Sequence, residues 1–312
     1  MKRILITGAG GFWGKHLAPY LLKQDYSVVG TYHKVKHPEI KGVSWRRLDV
    51  TNEDEVASLI RALRPNAVCH LAGQSSLSLS WKIPEKTFSL NTLSTVYFLS
   101  AIRRFSPSTR FVLTSSIHVY GYAFSKGNLL NESHYAWPEG PYGVSKRTAE
   151  FACLDSFQRY GVQTVAIRPV NCIGAGLGEH FAFSDWSKQI AAAEHGAKKI
   201  DLKVGNLDVK RDFLHIDDAV RAYEFVMRKG KAGEIYNLSS GKVIPIRKYA
   251  EALAKLAKIP VKIKVDKKRF RLLDPLATRV SSSKLQKLGW KPEKTAFLAL
   301  DELLSKWREH YG

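Results

Sequence analysis

The first fourteen residues constrain the fold of this 312-residue chain more than any other stretch. Residues 4–6 form an apolar run too short for a helix, and Gly8, Gly11 and Gly14 follow it. The next residues repeat leucine at helical spacing, and we expect Pro19 one turn into this helix, where a missing N–H costs least. A strand, a glycine turn and a helix in this order place a pyrophosphate on the helix N-terminus. We therefore predict a dinucleotide-binding site at this turn.

Strands and helices alternate through the first half of the chain. Strands are predicted at residues 4–6, 27–31, 43–48, 67–71, 110–116 and 162–168. Further helices are predicted at residues 51–63, 84–104 and 142–160. Such alternation is typical of a parallel sheet with helices on both faces. The predicted fold class is therefore α/β, a Rossmann-like doubly wound parallel sheet with a smaller C-terminal α/β substrate domain.

The pattern loosens after Pro169, and no linker or internal repeat marks a boundary. Helices are predicted at residues 184–195 and 217–228, and strands at 200–204, 234–238 and 261–265. We predict a dinucleotide-binding domain of residues 1–171 plus about 213–245, and a substrate domain of about 172–212 plus 246–312. The second domain is thus expected to pack directly against the first and not to be joined to it by a linker.

The composition is that of an ordinary globular protein, but the net charge of +21 is unusual. The densest basic run, residues 262–271, is interrupted by apolar residues and Asp266, and no nucleic-acid-binding motif accompanies it. We interpret most of this charge as solvated surface, with a few cations lining a pocket for a phosphorylated substrate. Cys69, Cys153 and Cys172 share no metal or disulfide spacing. With no signal peptide and no apolar stretch of ~20 residues, we expect a cytoplasmic protein without membrane, nucleic-acid or metal partners.

The end of the second predicted strand selects the dinucleotide, because an acidic residue there binds the adenosine ribose of NAD. Here Thr31 is followed by Tyr32, His33 and Lys34, and no carboxylate is expected in reach. We predict NADP(H) as the preferred cofactor, with His33 or Lys34 on its 2′-phosphate, and NAD(H) as the other possibility. Asp49, after the third strand, either accepts hydrogen bonds from the adenine amine or is a turn carboxylate.

Tyr142 and Lys146 provide the strongest chemical signal in the sequence. On a helix they lie one turn apart on the same face. An ammonium close to a phenol favours the phenolate, so we expect Lys146 to lower the pKa of Tyr142. A tyrosine tuned in this way exchanges a proton near neutral pH. Ser116, at the end of the fifth strand, is expected to point its hydroxyl at the same carbonyl.

Together these features resemble the extended short-chain dehydrogenase/reductase superfamily over essentially the whole chain. The residues that carry the resemblance are Thr7, Gly8, Gly11, Gly14, His70–Gly73, Ser115, Ser116, Tyr142, Lys146, Arg168, Pro169, Asn171, Arg211–Phe213, His215, Asp217 and Asp218. Residues 72–76, 183–186 and 205–208 are similar to the branch that acts on GDP-6-deoxy-hexoses. That branch includes GDP-mannose 4,6-dehydratases and, closer in likeness, GDP-6-deoxy-4-keto-mannose reductases.

One departure separates these two activities. The dehydratases carry a carboxylate that moves a proton at C5–C6 of the sugar, whereas Ile117 and His118 occupy the corresponding positions here. The resemblance therefore implies that dehydration is lost and that a 4-keto group is reduced. Hydride would come from NADPH, while Tyr142 donates the proton, Ser116 binds the same oxygen, and Lys146 holds the nicotinamide ribose.

The resemblance also implies a set of ligand contacts. Cofactor contacts are expected from Gly8, Gly11, Phe12, Trp13, Gly14, Thr31, His33, Lys34, Asp49, Val50, Leu71, Ala72, Gly73, Tyr142, Lys146 and Arg168. Contacts to a GDP-sugar or other nucleotide sugar are expected from Gln74, Ser116, His118, Asn171, Asn206, Arg211, Arg271 and Asp274. Arginine suits the diphosphate because its guanidinium binds bidentately. Cys172 stands where close relatives often have histidine, which leaves the identity of the sugar open.

The two long helices, residues 84–104 and 142–160, form a dimer interface in relatives, so a homodimer is expected. Two other functions stay open. A nucleotide-sugar 4-epimerase would use the same three catalytic residues and keep its NAD tightly bound. A redox-silent protein that binds a dinucleotide or nucleic acid would have no need of an activated tyrosine.

Overall fold

The computed structural model describes residues 2–34, 37–270 and 277–312. The strands are β1 Arg3–Thr7, β2 Ser27–Tyr32, β3 Val43–Arg47, β4 Ala67–His70, β5 Arg110–Thr114, β6 Thr164–Pro169, β7 Asn171–Ile173, β8 Ile200–Val204, β9 Lys210–His215, β10 Ile235–Leu238, β11 Val243–Pro245 and β12 Val261–Val265. The helices are α1 Phe12–Lys23, α2 Glu53–Leu63, α3 Leu77–Lys82, α4 Pro84–Phe88, α5 Ser94–Phe105, α6 Gly140–Tyr160, α7 Ala182–Glu194, α8 Ile216–Lys229, α9 Ile246–Leu256, α10 Ser283–Gln286 and α11 Ala296–Tyr311.

Seven strands form a parallel sheet in the order β10-β6-β5-β4-β1-β2-β3. The strand order reverses direction beside β1, which is where open sheets of this kind bind their ligands. The predicted α/β fold class and the predicted strands of the first half are confirmed, with ends that differ by one or two residues. A three-stranded sheet, β11-β9-β7, and a parallel pair, β12-β8, complete the structure.

Three buried clusters show how the helices cover the sheet. Leu21 of α1 belongs to a cluster that includes α8 on one face of the large sheet. Phe98 of α5 belongs to a second cluster, with α2 and α6, on the other face. Leu300 of α11 belongs to a third cluster, built with α7, α9 and the β8–β12 pair, and we call these elements the small lobe. Phe12, the first residue of α1, packs against the first and third clusters. The division into domains by residue number stays a prediction.

Several helices differ from the predicted ones. α1 begins at Phe12, so Pro19 lies in the helix interior rather than in its first turn, and its missing N–H removes an interior hydrogen bond. The helix predicted over residues 84–104 consists of α4, a π-helical turn at Ser89–Leu93, and α5. α3 was not predicted because six residues are too few for a helical repeat to be recognised.

The strands β7, β9 and β11 were also not predicted. β7 and β11 are three residues long, and β9 carries charged residues in a buried position. Asp212 of β9 is 1% exposed. Its carboxylate accepts hydrogen bonds from the Ser239 hydroxyl at 2.7 Å and from the Gly241 N–H at 3.0 Å. These partners satisfy a charge that the sequence pattern alone marks as exposed.

The glycine turn has the conformation that its residues permit. Gly8 has a backbone φ of +65°, a conformation that residues other than glycine rarely adopt. A Cβ on Gly14 would lie 2.4 Å from the backbone of Ala9, so only glycine allows α1 to approach the turn this closely. Gly11 caps α1 without a side-chain hydrogen bond, which leaves the first helical N–H groups for a ligand. Within the described ranges, no helix is long and apolar enough to cross a membrane.

We expect Gly14→Ala to lower the free energy of unfolding by about 1–3 kcal/mol, because the added methyl group overpacks the turn. Gly10→Ala is the matched control, since its Cβ would meet only the Pro38 side chain at 3.4 Å. Urea denaturation of both variants measures the difference. Equal stability of the two variants would contradict the assigned packing role of Gly14.

Candidate active site

A cleft of about 2030 Å³ runs along the carboxyl ends of the sheet strands and into the small lobe. It brings most of the predicted site residues together. The predicted residues that line it are Gly8, Gly11, Phe12, Trp13, Gly14, Thr31, His33, Lys34, Asp49, Val50, Leu71, Ala72, Gly73, Gln74, Ser116, His118, Tyr142, Lys146, Asn171, Asn206 and Arg211. Arg271 and Asp274 lie outside the described residues. Arg168 is described but does not line the cleft.

Ser116, Tyr142 and Lys146 meet at the centre of the cleft. Tyr142 lies in the first turn of α6 and Lys146 one turn later, while Ser116 follows β5 and caps the short helical turn after it. The Ser116 hydroxyl is hydrogen-bonded to the Tyr142 phenol, and it also accepts the His118 N–H at 3.2 Å. The Lys146 ammonium donates to the Thr114 carbonyl at 2.9 Å. Two adjacent elements, β5 and α6, therefore fix all three functional groups.

The expectation that Lys146 lowers the pKa of Tyr142 is wrong. Burial raises the pKa of Tyr142, and the hydrogen bond from Ser116 opposes this only in part. Lys146 is held by the Thr114 carbonyl. Burial lowers the pKa of Lys146 to about 8, against the attraction of Glu150. Tyr142 is thus a neutral phenol, which is the protonation state that a proton donor requires.

Arg168, predicted to contact the cofactor, is buried outside the cleft and pairs with Glu150. It is 1% exposed, and its Nε and Nη2 each donate to the Glu150 carboxylate at 2.7 Å. Its guanidinium also lies 4.8 Å from the centre of the Tyr120 ring. Glu150 additionally accepts from the Ser115 hydroxyl at 2.6 Å. The charge of Arg168 therefore balances a buried carboxylate one turn beyond Lys146.

Asn91, in the π-helical turn, positions the loop after β4, and sequence reasoning missed it. Its Oδ1 accepts the Gln74 N–H at 2.9 Å, and its Nδ2 donates to the Gln74 carbonyl at 3.1 Å. The same Nδ2 donates to the Ser145 hydroxyl of α6 at 3.0 Å. A Cβ on Gly73 would lie 2.6 Å from Asn91 Oδ1, so glycine is required there.

A second buried chain of hydrogen bonds links β1 to the same helix. Ser94 donates to the Leu90 carbonyl at 2.6 Å, so its oxygen accepts from His70 Nε2 at 3.0 Å. The Thr7 hydroxyl donates to His70 Nδ1 at 2.9 Å and accepts the Ala72 N–H at 3.1 Å. Burial, together with the charge of Lys146, lowers the pKa of His70 to about 3. A neutral imidazole therefore joins β1 and the loop after β4 to α5.

At the predicted adenosine end, a carboxylate does lie in reach, contrary to expectation. Asp49 Oδ2 is 3.8 Å from His33 Nε2, because β3 pairs with β2 and ends beside it. Hydrogen bonds from Thr51 lower the pKa of Asp49. Arg47 pairs in register with Tyr32 and lines the cleft with Lys34. Arg47 was missed because its proximity depends on strand register rather than on sequence distance.

The small lobe and β9 supply the other end of the cleft. Arg211 is 7% exposed and donates to the Lys210 carbonyl at 2.8 Å. Asn206 Oδ1 accepts the Asp208 N–H at 3.0 Å. The His118 ring lies 6.0 Å from the ring of Tyr142, between their centres. Glu139, immediately before α6, also lines the cleft, and no sequence motif singles it out.

Comparisons with known proteins agree with this geometry. The model of the GDP-mannose 4,6 dehydratase family matches residues 5–303. The chain is 34% identical over 309 residues to the GDP-6-deoxy-D-mannose reductase of Pseudomonas aeruginosa. That alignment covers 98% of this chain and 97% of the relative. It is 26% identical over 340 residues to a GDP-mannose 4,6-dehydratase of Vibrio cholerae. That alignment covers 94% of this chain and 90% of the relative.

Two solved structures have the same architecture. RMD from Pseudomonas aeruginosa, complexed with NADPH, superposes with a TM-score of 0.84 at 32% identity, over 99% of this chain and all of that one. The UDP-glucose 4-epimerase of Thermus thermophilus, in complex with NAD, has a TM-score of 0.86 at 23% identity, over 98% of this chain and 99% of that one. The second likeness concerns the fold alone. The chain belongs to the GDP-mannose 4,6 dehydratase family.

Proposed function

We propose that this protein is an NAD(P)H-dependent oxidoreductase that reduces the 4-keto group of a nucleotide-activated 6-deoxy sugar. The substrate is GDP-4-keto-6-deoxy-D-mannose, and the product is GDP-6-deoxy-D-mannose or its C4 epimer. One observation carries the proposal: the cleft brings together the Tyr142 phenol, the Ser116 hydroxyl bonded to it, and the Lys146 ammonium. By the family resemblance, Ile117 and His118 occupy the positions where a dehydratase carries an acid. The identity to a protein named GDP-6-deoxy-D-mannose reductase supports it.

The residues present fit a dinucleotide. α1 begins at a glycine turn without a side-chain cap, so its N–H groups suit the pyrophosphate. NADPH, when bound, supplies the hydride. Tyr142 donates its proton to the developing alkoxide at O4, and Ser116 binds the same oxygen. Lys146, held by the Thr114 carbonyl, binds the nicotinamide ribose and stabilises the tyrosinate left by proton transfer.

The substrate occupies the other half of the cleft. Arg211 binds the diphosphate, and Asn171, Asn206, His118 and Gln74 surround the sugar and the linkage; Arg271 and Asp274 keep the roles that the family resemblance implies. A cytoplasmic location accompanies this function, since Cys69, Cys153 and Cys172 are free thiols. The Asp49 carboxylate is proposed to accept a hydrogen bond from the adenine amine.

Tyr142→Phe should reduce kcat by about 10²- to 10⁴-fold, because the proton donor is lost. The assay follows NADPH absorbance with GDP-mannose that a dehydratase has already converted. Tyr122→Phe is the matched control, since Tyr122 is 49% exposed and does not line the cleft. Wild-type turnover by Tyr142→Phe would refute the assignment. Cofactor retained through purification, without net NADPH oxidation, would favour the 4-epimerase instead.

We expect Lys34→Ala and Arg47→Ala each to raise the Kd for NADPH by roughly 10-fold, since each removes a cation from the 2′-phosphate site. The Kd for NADH should stay unchanged. Fluorescence titration measures both values. Arg46→Ala is the control, because Arg46 is exposed beside Arg47 but does not line the cleft. Equal weakening of NADH binding would contradict a 2′-phosphate contact.

We also propose a homodimer through α4–α5 and α6. These helices and the π-helical turn between α4 and α5 carry exposed apolar side chains: Leu93, Val96, Val144, Phe151, Leu154 and Tyr160. Phe151→Glu should convert the dimer to a monomer in sedimentation velocity, because Phe151 is 54% exposed at the centre of α6. Leu298→Glu, at a 46% exposed position of α11, should leave the dimer intact. A wild-type monomer would refute the proposal.

A further inference from the structure

Trp81 is a large apolar side chain of the cleft that the proposed reaction does not use. It lies in α3 and is 64% exposed, although it lines the cleft. Leu77, one helical turn earlier and on the same face of α3, lines the cleft as well. Contact with a ligand would remove this surface from water, which is worth about 25 cal/mol per Å² of apolar area. α3 therefore presents an apolar strip, Leu77 and Trp81, to the ligand that fills the cleft.

Gly140 fixes the position of the Trp81 ring. α6 begins at Gly140, whose backbone φ is +68°. A Cβ on this residue would lie 2.9 Å from Trp81 Cζ2, 3.1 Å from Cε2 and 3.3 Å from Nε1. Glycine is thus what allows the indole to pack on the first turn of α6. Tyr142 lies two residues further along, so the indole packs on the same helical turn that carries the catalytic phenol.

The helix that carries Trp81 is held at both its start and its interior. The Ser76 hydroxyl caps α3 by accepting the N–H three residues later at 3.2 Å. The Ser80 hydroxyl donates to the Leu77 carbonyl at 2.7 Å. Gln74, just before the helix, is bonded to Asn91 through both its N–H and its carbonyl. The apolar strip is therefore in place before a ligand binds, which keeps the entropic cost of binding low.

We propose that Trp81 contacts the C6 methyl group of the sugar and selects 6-deoxy hexoses over hexoses that keep a 6-hydroxyl. The inference rests on the proposed function, which places C4 of the sugar at Tyr142 and Ser116. C6 is only two bonds from C4, so it lies next to the side chains that flank Tyr142. Burial against an indole stabilises a methyl group, whereas a hydroxyl on the apolar strip would give up hydrogen bonds to water.

The test compares two nucleotide sugars that differ only by the 6-hydroxyl, GDP-6-deoxy-D-mannose and GDP-D-mannose, on protein loaded with NADP⁺. Wild-type protein should bind the 6-deoxy sugar about 10-fold more tightly, since one small group in an apolar pocket changes affinity by roughly this factor. Trp81→Ala should bind both sugars equally, through weaker binding of the 6-deoxy sugar. Trp81→Phe, which keeps an apolar ring, should retain part of the preference. Calorimetry supplies the dissociation constants.

Trp137→Ala is the matched control, because Trp137 is 59% exposed and does not line the cleft. Unchanged NADPH binding by Trp81→Ala shows that this variant is folded. If that binding is lost, Trp81→Phe decides, and its preference must fall below that of wild type.

Four results would overturn the inference: equal binding of the two sugars by wild type, a preference that survives the loss of the indole, equal weakening of both sugars in Trp81→Ala, or an equal effect of Trp137→Ala. A preference that depends on Trp81, without NADPH oxidation in the presence of the 4-keto sugar, would instead refute the reductase. The role of Trp81 in recognising the 6-deoxy group would then stand.

Discussion

The Lys146 ammonium is the charge on which the architecture of the site depends. Burial favours loss of its proton and brings its pKa to about 8, while Glu150 opposes that loss. Glu150 in turn is neutralised by Arg168, whose two bonds of 2.7 Å are fully buried. Charges of alternating sign thus run from the cleft into the core, from α6 to β6. Removing Glu150 would leave the charges of Arg168 and Lys146 buried without the carboxylate that compensates them.

The parts of the site that the sequence predicted are those set by local geometry. The glycine turn depends on neighbouring residues and one positive φ at Gly8. Tyr142 and Lys146 are related by a single helical turn, which any α-helix provides. The parallel sheet follows from apolar runs of strand length that alternate with helices. Such features need no knowledge of which distant segments meet.

The parts that escaped prediction depend on distant contacts. Arg168 was expected to contact the cofactor, but a carboxylate eighteen positions earlier neutralises it. Asp49 approaches His33 only through the pairing of β3 with β2. The pKa of Tyr142 depends on its burial, which no residue pattern reports. β9 was not predicted because it contains charged residues, and the groups that bond Asp212 come from the distant loop at Ser239–Gly241. In each case the missing information was tertiary.

The π-helical turn at Ser89–Leu93 sets the direction of every later side chain in that helix. A π turn holds about one residue more than an α turn, and each residue of an α-helix rotates the side-chain direction by about 100°. Asn91 can therefore face the Gln74 loop while Phe98 and Ile102 still face the sheet. Loss of a single residue from this turn would straighten the helix and swing α5 by roughly a quarter of a revolution, exposing apolar side chains now enclosed. The π-helical turn thus sets the rotation between the polar contact of Asn91 and the apolar face that carries Phe98 and Ile102.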